Sequence, residues 1–153
     1  MQKDEGDDQQ QRQQEHAVGP QEQEEMDERL FRAAKGGDAY AVRAAVSDGA
    51  RVNARGGFTG ATPLVEASYG GHWDVCRVLL HECGADPNGT NRFGDAALMY
   101  AAIRGRADVC KMLLQSGADL RIRDRSGRTA VDVATGDTKR YLRDVDVSQC
   151  ACV

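Results

Sequence analysis

Three histidines and five cysteines are the residues of this chain best suited to hold a metal or move a proton. His72, Cys76 and Cys83 fall within a narrow arc of one predicted helix, which is how a zinc site could begin. Zinc asks for four converging ligands, or three and a water, and His81 falls on the far side of the same helix. Cys76 also has a counterpart, Cys110, in matching surroundings 34 residues on. Both read as small buried hydrophobes rather than ligands. His16 stands in a polar run, and His72 and His81 stand at helix ends, with no nucleophile or orienting group recurring beside them. Acid–base chemistry needs a titrating group positioned in a pocket. No catalytic, cofactor or metal residue is therefore expected, and an enzyme with an unrecognised site is kept only as a remote alternative. Gly56-Gly-Phe-Thr-Gly60 is glycine-rich but lacks the lysine and following Ser or Thr of a phosphate-binding loop. It reads as a hairpin tip.

The last four residues, Cys150-Ala-Cys-Val153, have the form of a prenylation signal, a cysteine four from the end followed by small or apolar residues. Lys139, Arg140 and Arg143 lie upstream and could meet an anionic membrane surface, whereas Asp144 and Asp146 dilute them and valine is an uncommon last residue for the signal. One lipid chain gives only marginal attachment, so Cys152 would have to be acylated as well. A plain tail is the leading reading. Contact with a membrane is expected only if Cys150 is lipidated.

The elements that must position such residues are constrained by composition. A chain of 153 residues, 41% hydrophobic, suits one folding unit with tails. Three Phe, one Trp and four Tyr against seventeen Gly call for an aliphatic, alanine-rich core of short helices and frequent turns. Residues 1–25 hold eight acids and two bases, a charge of −6, which leaves 18 bases and 16 acids, or +2, for residues 26–153. With eight glutamines and almost no large apolar residue, that acidic tail cannot offset the entropy of ordering and is expected to be disordered. No apolar run resembles a signal peptide or approaches the roughly 18 residues of a membrane span. An odd number of cysteines without a secretory signal argues for reduced thiols, hence a cytoplasmic chain, with the nucleus also open. In that setting the sequon at Asn88 stays unmodified. A body of mixed charge is far from the dense positive stripe that phosphates require, so no nucleic acid partner is expected.

The organisation is repetitive. Gly60-Ala-Thr-Pro-Leu64 returns as Gly94-Asp-Ala-Ala-Leu98 and as Gly127-Arg-Thr-Ala-Val131, at spacings of 34 and 33. A second marker keeps phase with the first: Asp48-Gly-Ala-Arg-Val-Asn53, Gly84-Ala-Asp-Pro-Asn88 and Gly117-Ala-Asp-Leu-Arg121. Thr62 is placed to cap a helix through its hydroxyl, and Pro63 sits where a missing amide hydrogen costs nothing. Thr129 and Asp132 form a weaker version of a capping box. Gly71, Gly84, Gly105 and Gly117 stand at helix ends, where a left-handed residue turns the chain. Val75, Val78, Leu79 and Leu80, with Val109, Met112, Leu113 and Leu114, supply apolar stripes at helical spacing.

With its Thr62-Pro-Leu-Val-Glu-Ala67 and the 33-residue period, the chain resembles the ankyrin-repeat family. The resemblance covers residues 26 to about 145 and implies an all-α solenoid of helix-turn-helix pairs with β-hairpin-like loops. The expected repeats are about 26–55, 56–90, 91–123 and 124–145, followed by a flexible tail over 146–153. The two end repeats are incomplete, as a finite stack with polar ends requires. The family's histidine after Thr-Pro-Leu is replaced by Val65, Met99 and Asp132, so the side-chain bonds that knit adjacent loops are expected to be missing. Repeat two carries one extra residue near Cys83, and the loop before it one extra near Gly57, each implying a bulge. Glu66 occupies a position that is usually aliphatic and inward. A buried carboxylate demands a partner, here Tyr100 or a backbone amide; otherwise Glu66 offers a polar contact at the edge of a groove.

Such stacks work through an extended face. The resemblance therefore implies a monomeric module that binds a protein partner, with an adaptor or inhibitor as the leading reading and a membrane-tethered recruiter as the alternative. The family's contact positions fall on Phe58, Thr59, Ala61 and Tyr69 in repeat two. They continue on Arg92, Phe93, Asp95, Ile103 and Arg104 in repeat three, and Arg125, Ser126 and Arg128 extend the row.

Overall fold

The chain is described by a computed structural model covering the backbone of residues 18–150 and the side chains of 18–148. Among the described residues every regular element is helical: α1 Pro20–Gly36, α2 Ala39–Ser47, α3 Pro63–Gly70, α4 Trp73–Arg77, α5 Ala97–Ile103, α6 Ala107–Gln115, α7 Ala130–Val133 and α8 Gly136–Cys150. A single π-helical turn, Val78–Glu82, continues α4. The first helices α1, α3, α5 and α7 pack on one another in chain order, and α2, α4, α6 and α8 form a second layer behind them. The stack is the expected all-α solenoid.

Its local signals work as the residues dictate. The Thr62 hydroxyl accepts from the Val65 amide at 3.3 Å with Pro63 opening α3, and the Asp38 carboxylate accepts from the Ala41 amide at the start of α2. Thr129 donates its amide to Asp132 at 2.9 Å. Gly71 ends α3 at φ 70°, and its amide donates back to Ser68 in the manner that satisfies the last carbonyls of a helix. Between the layers Leu30, Leu64, Leu79, Leu98, Leu113 and Leu142 are fully buried, one large leucine or more from every repeat. Alanines 34, 67, 101 and 102, also fully buried, let the helices approach.

Both inserted residues are visible. The extra residue of repeat two lies in the π-turn, where the Cys83 amide donates to the Val78 carbonyl five residues back. The extra residue near Gly57 widens the first hairpin. There the Gly56 amide reaches the Ala61 carbonyl, across four residues, whereas the matching bonds Asn91 to Asp95 and Asp124 to Arg128 span three.

The ends differ from the sequence reading. The first helix starts at Pro20, so residues 20–25 are helical and do not belong to a tail ending at residue 25. Proline stands at its first position, and the Gln23 amide closes the first turn on the Gly19 carbonyl. The Gln23 side chain then bridges to Asp27 and the Gly49 carbonyl, tying this added length to the body. Residues 1–17 lie outside the described part. The last helix runs from Gly136 through Cys150, past the expected end at Val145, so 146–150 are helical. The Cys150 side chain and residues 151–153 are outside the described residues.

The loops are knitted after all, through asparagine rather than histidine. The Asn53 side chain accepts from the Asp86 amide at 2.9 Å, and Asn88, one repeat on, accepts from the Asp119 amide at 2.8 Å while donating to the Gly117 carbonyl. The His72 ring meets the Lys35 carbonyl at 3.0 Å, linking the first two repeats. Its role is structural.

Candidate protein-binding surface

The hairpin tips and the outer sides of the first helices make one continuous face. Equivalent positions recur along it: Phe58, Arg92 and Arg125 at one level, and Thr59, Phe93 and Ser126 beside them. Main-chain bonds join these tips, with the Arg92 amide on the Thr59 carbonyl at 2.9 Å and the Arg125 amide on the Phe93 carbonyl at 3.0 Å. Residues placed here are thus spaced by the backbone itself.

Two hairpins are braced from within by a short polar side chain. Asn91, 4% exposed, accepts from the amides of Phe93 and Asp95 at 2.9 and 3.0 Å. Its amide group donates to the Asp95 carboxylate and to the Tyr100 hydroxyl at 2.9 Å, and that hydroxyl donates in turn to Asp95. Asp124 holds the matching place in repeat four, accepting from the amides of Ser126 and Arg128 and from the Arg128 guanidinium at 2.9 Å. In the first hairpin that position is Gly56, and the brace is absent. Sequence reasoning missed Asn91 and Asp124, although an Asx residue three before a turn glycine is a legible signal.

A groove of about 530 Å³ opens on this face between Lys35, Thr59, Ala61, Val65, Glu66, Tyr69, Gly70 and Tyr100. Tyr69 meets Tyr100 edge to face with 5.5 Å between ring centres, and the Arg104 guanidinium lies over the Tyr69 ring at 5.2 Å. An exposed cation on an aromatic ring contributes roughly 0.5–1 kcal/mol, enough to fix a rotamer. Burial, and then the charge of Asp95, push the Tyr100 hydroxyl above its ordinary value, so it remains a neutral donor at neutral pH.

Of the expected contact residues, Phe58 is 89% exposed, and Tyr69, Arg92, Phe93, Ile103, Arg104, Arg125, Ser126 and Arg128 are exposed on the same face. Thr59 is half-buried at the groove wall. Ala61 is a correction: it is 1% exposed, because its carbonyl closes the first hairpin and its methyl faces the core. Asp95 is half-buried, with its carboxylate engaged by Asn91 and Tyr100. Glu66 is also corrected, since its carboxylate bonds neither Tyr100 nor a backbone amide and stands half-buried at the groove wall. Lys35 and Tyr100 complete the groove and were not among the expected contacts. On the other layer, Trp73 is exposed beneath the Arg77 guanidinium at 5.9 Å.

Elsewhere the titrating groups serve the fold. Burial pushes the Cys76 thiol up to about 11 and the Cys110 thiol up to about 12, so both stay protonated and pack as apolar groups. Among the described residues no cluster of His, Cys, Asp and Glu has the makings of a metal site, and no helix is long and apolar enough to cross a membrane. Four carboxylates sit below their ordinary range. Asp27 does so against its own burial because Arg51 binds it through guanidinium and amide; Glu82 is held by Arg43, Asp124 by the amide of Arg128, and Asp132 by that of Thr129. A depressed folded value contributes stability that is complete above the unfolded value, near 4 for Asp and Glu, and is lost as pH falls through the folded one. Melting temperature should hold steady from pH 7 to 5 and fall below pH 4. A value at pH 3 equal to that at pH 7 would show that these pairs contribute nothing.

Known proteins place this architecture. A family described as "Ankyrin repeat" matches residues 59–92, and one described as "Ankyrin repeats (many copies)" matches 80–134. The chain belongs to the ankyrin-repeat family, whose stacks are protein–protein interaction modules. It is 42% identical over 73 residues to the human Ankyrin repeat and KH domain-containing protein 1, covering 46% of this chain and 3% of that protein. Over 114 residues it is 40% identical to the Probable E3 ubiquitin-protein ligase XBOS33 of Oryza sativa subsp. japonica, covering 72% of this chain and 21% of that one. Over 105 residues it is 36% identical to Protein HOS4 of Saccharomyces cerevisiae, covering 68% and 9%. The chain thus spans between 3 and 21% of the length of these relatives.

Proposed function

We propose that this chain is an intracellular adaptor or inhibitor that acts by occupying a surface of a protein partner, with the hairpin tips and first helices as the contact face. One observation carries the reading. Phe58, Tyr69, Phe93 and Ile103 are exposed on a single face, 89%, 49%, 46% and 43%, although the core beneath them is already filled by leucine and alanine. Large apolar side chains held in water on one side of a rigid stack are where binding energy concentrates. The free thiols of Cys76, Cys83 and Cys110 suit a reducing compartment.

The test is to identify the partner by proximity labelling in cells and then measure its capture by the triple variant Phe58→Ala, Tyr69→Ala, Phe93→Ala. Anchors of this kind cost about 2 kcal/mol or more each, so capture should fall at least thirtyfold. The helical circular dichroism should be unchanged. Undiminished capture by the folded triple variant would sink the assignment.

A further inference from the structure

Seven ion pairs are formed among the described residues, and they engage Arg29, Arg32, Arg43, Arg51, Arg77, Arg121 and Arg128. Eleven described Lys and Arg side chains form none, and four of these, Lys35, Arg92, Arg104 and Arg125, gather on the contact face or its groove, where Arg128 joins them. The acids on that face do not offset them: Asp95 is occupied by Asn91 and Tyr100, Asp124 is matched by Arg128, and Glu66 alone is left. Holding unpaired like charges together on a folded surface is unfavourable unless something of opposite sign comes to them.

Their spacing says what shape that something has. Arg92 and Arg125 are equivalent positions 33 residues apart in adjacent repeats. The first helices of adjacent repeats pack directly on one another, and helices pack at roughly 8–10 Å between axes, so the step is about 10 Å per repeat. An extended peptide advances about 3.3 Å per residue, so three of its residues match one repeat.

Resting on the binding role proposed above, we infer that the partner presents an extended acidic segment that crosses the repeats along the hairpin tips. Its Asp or Glu residues, every third position, pair with Arg92 and Arg125, and an aromatic side chain at its end enters the groove between Lys35, Tyr69 and Tyr100. Bidentate pairing suits arginine at both positions. The tyrosine rings and the 530 Å³ of the groove suit an aromatic guest. Nucleic acid fits less well, because a few cations interspersed with Glu66, Asp95 and Asp124 fall short of the dense positive stripe that a phosphate backbone requires.

The test uses the full chain and fluorescein-labelled peptides read by anisotropy. The probe has tyrosine followed by glutamate at every third position among serines. A scrambled peptide of the same composition with glutamates adjacent, a lysine-for-glutamate version and single-stranded DNA of equal length complete the set. The spaced peptide should bind at least tenfold more tightly than each of the others and weaken as salt rises. The variant Arg92→Glu, Arg125→Glu should lose at least tenfold, while Arg140→Glu, on α8, should not. Equal affinity for spaced and scrambled peptides, tighter binding of DNA or the lysine peptide, or full binding by the double variant would each overturn the inference. A synthetic peptide of residues 1–17 that competes as strongly as the spaced probe would also overturn it, in favour of the chain's own acidic segment. Failure here is distinguishable from failure of the binding role: the captured partner would then remain sensitive to the triple aromatic variant and indifferent to Arg92→Glu, Arg125→Glu.

Discussion

Leu98→Ala is expected to lower the free energy of unfolding by about 2–5 kcal/mol, the range for leucines removed from filled cores. Leu98 lies 2% exposed in α5, which packs on α3 before it, on α7 after it and on α6 of its own repeat. The neighbours that would have to collapse into the cavity belong to three other elements, so relaxation is restricted and the upper half of the range applies. Position in the stack adds to this. Repeats are stabilised mainly by their immediate neighbours, and a weakened central repeat separates the two end repeats, neither of which is complete. Urea unfolding should show a lower midpoint and a broader transition, with the ends melting first. A loss below about 1 kcal/mol would mean that the site repacks and that the central interface is looser than its burial suggests.

The second large effect is at Asn91. Its replacement by alanine removes acceptors from two backbone amides and donors from Asp95 and Tyr100 in a site 4% exposed. Leaving buried polar groups unpaired costs about 1–3 kcal/mol, and a total loss of about 2–3 kcal/mol is expected. The damage should also be local. Hydrogen exchange at the amides of Phe93 and Asp95 should speed up, and the Tyr100 ring should lose its fixed place in the groove wall. Asn91→Asp preserves the acceptors but sets a second carboxylate against Asp95, and should be worse at neutral pH than the alanine variant. Adding Asp95→Arg should recover most of the loss, because that pair reproduces Asp124 with Arg128 in repeat four. Unchanged exchange in Asn91→Ala would show that the hairpin is held by its main-chain bonds alone.

The fold was legible because a repeat announces itself several times. Thr62 with Pro63, the glycines at 71, 84, 105 and 117, and the paired leucines each say the same thing at the same period, and all were found where their chemistry placed them. The ends were less legible for a physical reason. Residues 20–25 are Pro, Gln and Glu, with no apolar stripe, yet Glu and Gln are good helix formers, and a helix already nucleated and packed over 26–36 propagates outward through them at little cost. The same holds past Val145, where the helix anchored by the buried Leu142 and the packed Val145 runs on through the exposed Val147 and Ser148. Composition measures whether a segment can bury surface by itself, not whether a neighbour will extend into it. The candidate row was legible as a set of positions mostly exposed on one side of the stack, but two of its members turned inward. Ala61 and Asp95 are consumed by their own hairpins, a fact that depends on closing bonds no single position displays. Glu66, Lys35 and Tyr100 came together only through the packing of three successive first helices.

The π-turn at Val78–Glu82 bears on how such a chain changes over generations. A residue gained inside an ordinary helix would rotate everything after it by about 100° and turn the apolar side outward. Here the added length is spent within one turn, and by Gly84-Ala85-Asp86 the chain is back in step with Gly117-Ala118-Asp119. The displaced turn has even acquired a use, since Glu82 at its end reaches Arg43 in the preceding repeat with two bonds at 2.7 and 2.8 Å. A lineage can therefore accept an insertion at this rim without losing the stack. The mutation is absorbed as a local dialect of the helix, and the repeats on either side go on reading the same grammar.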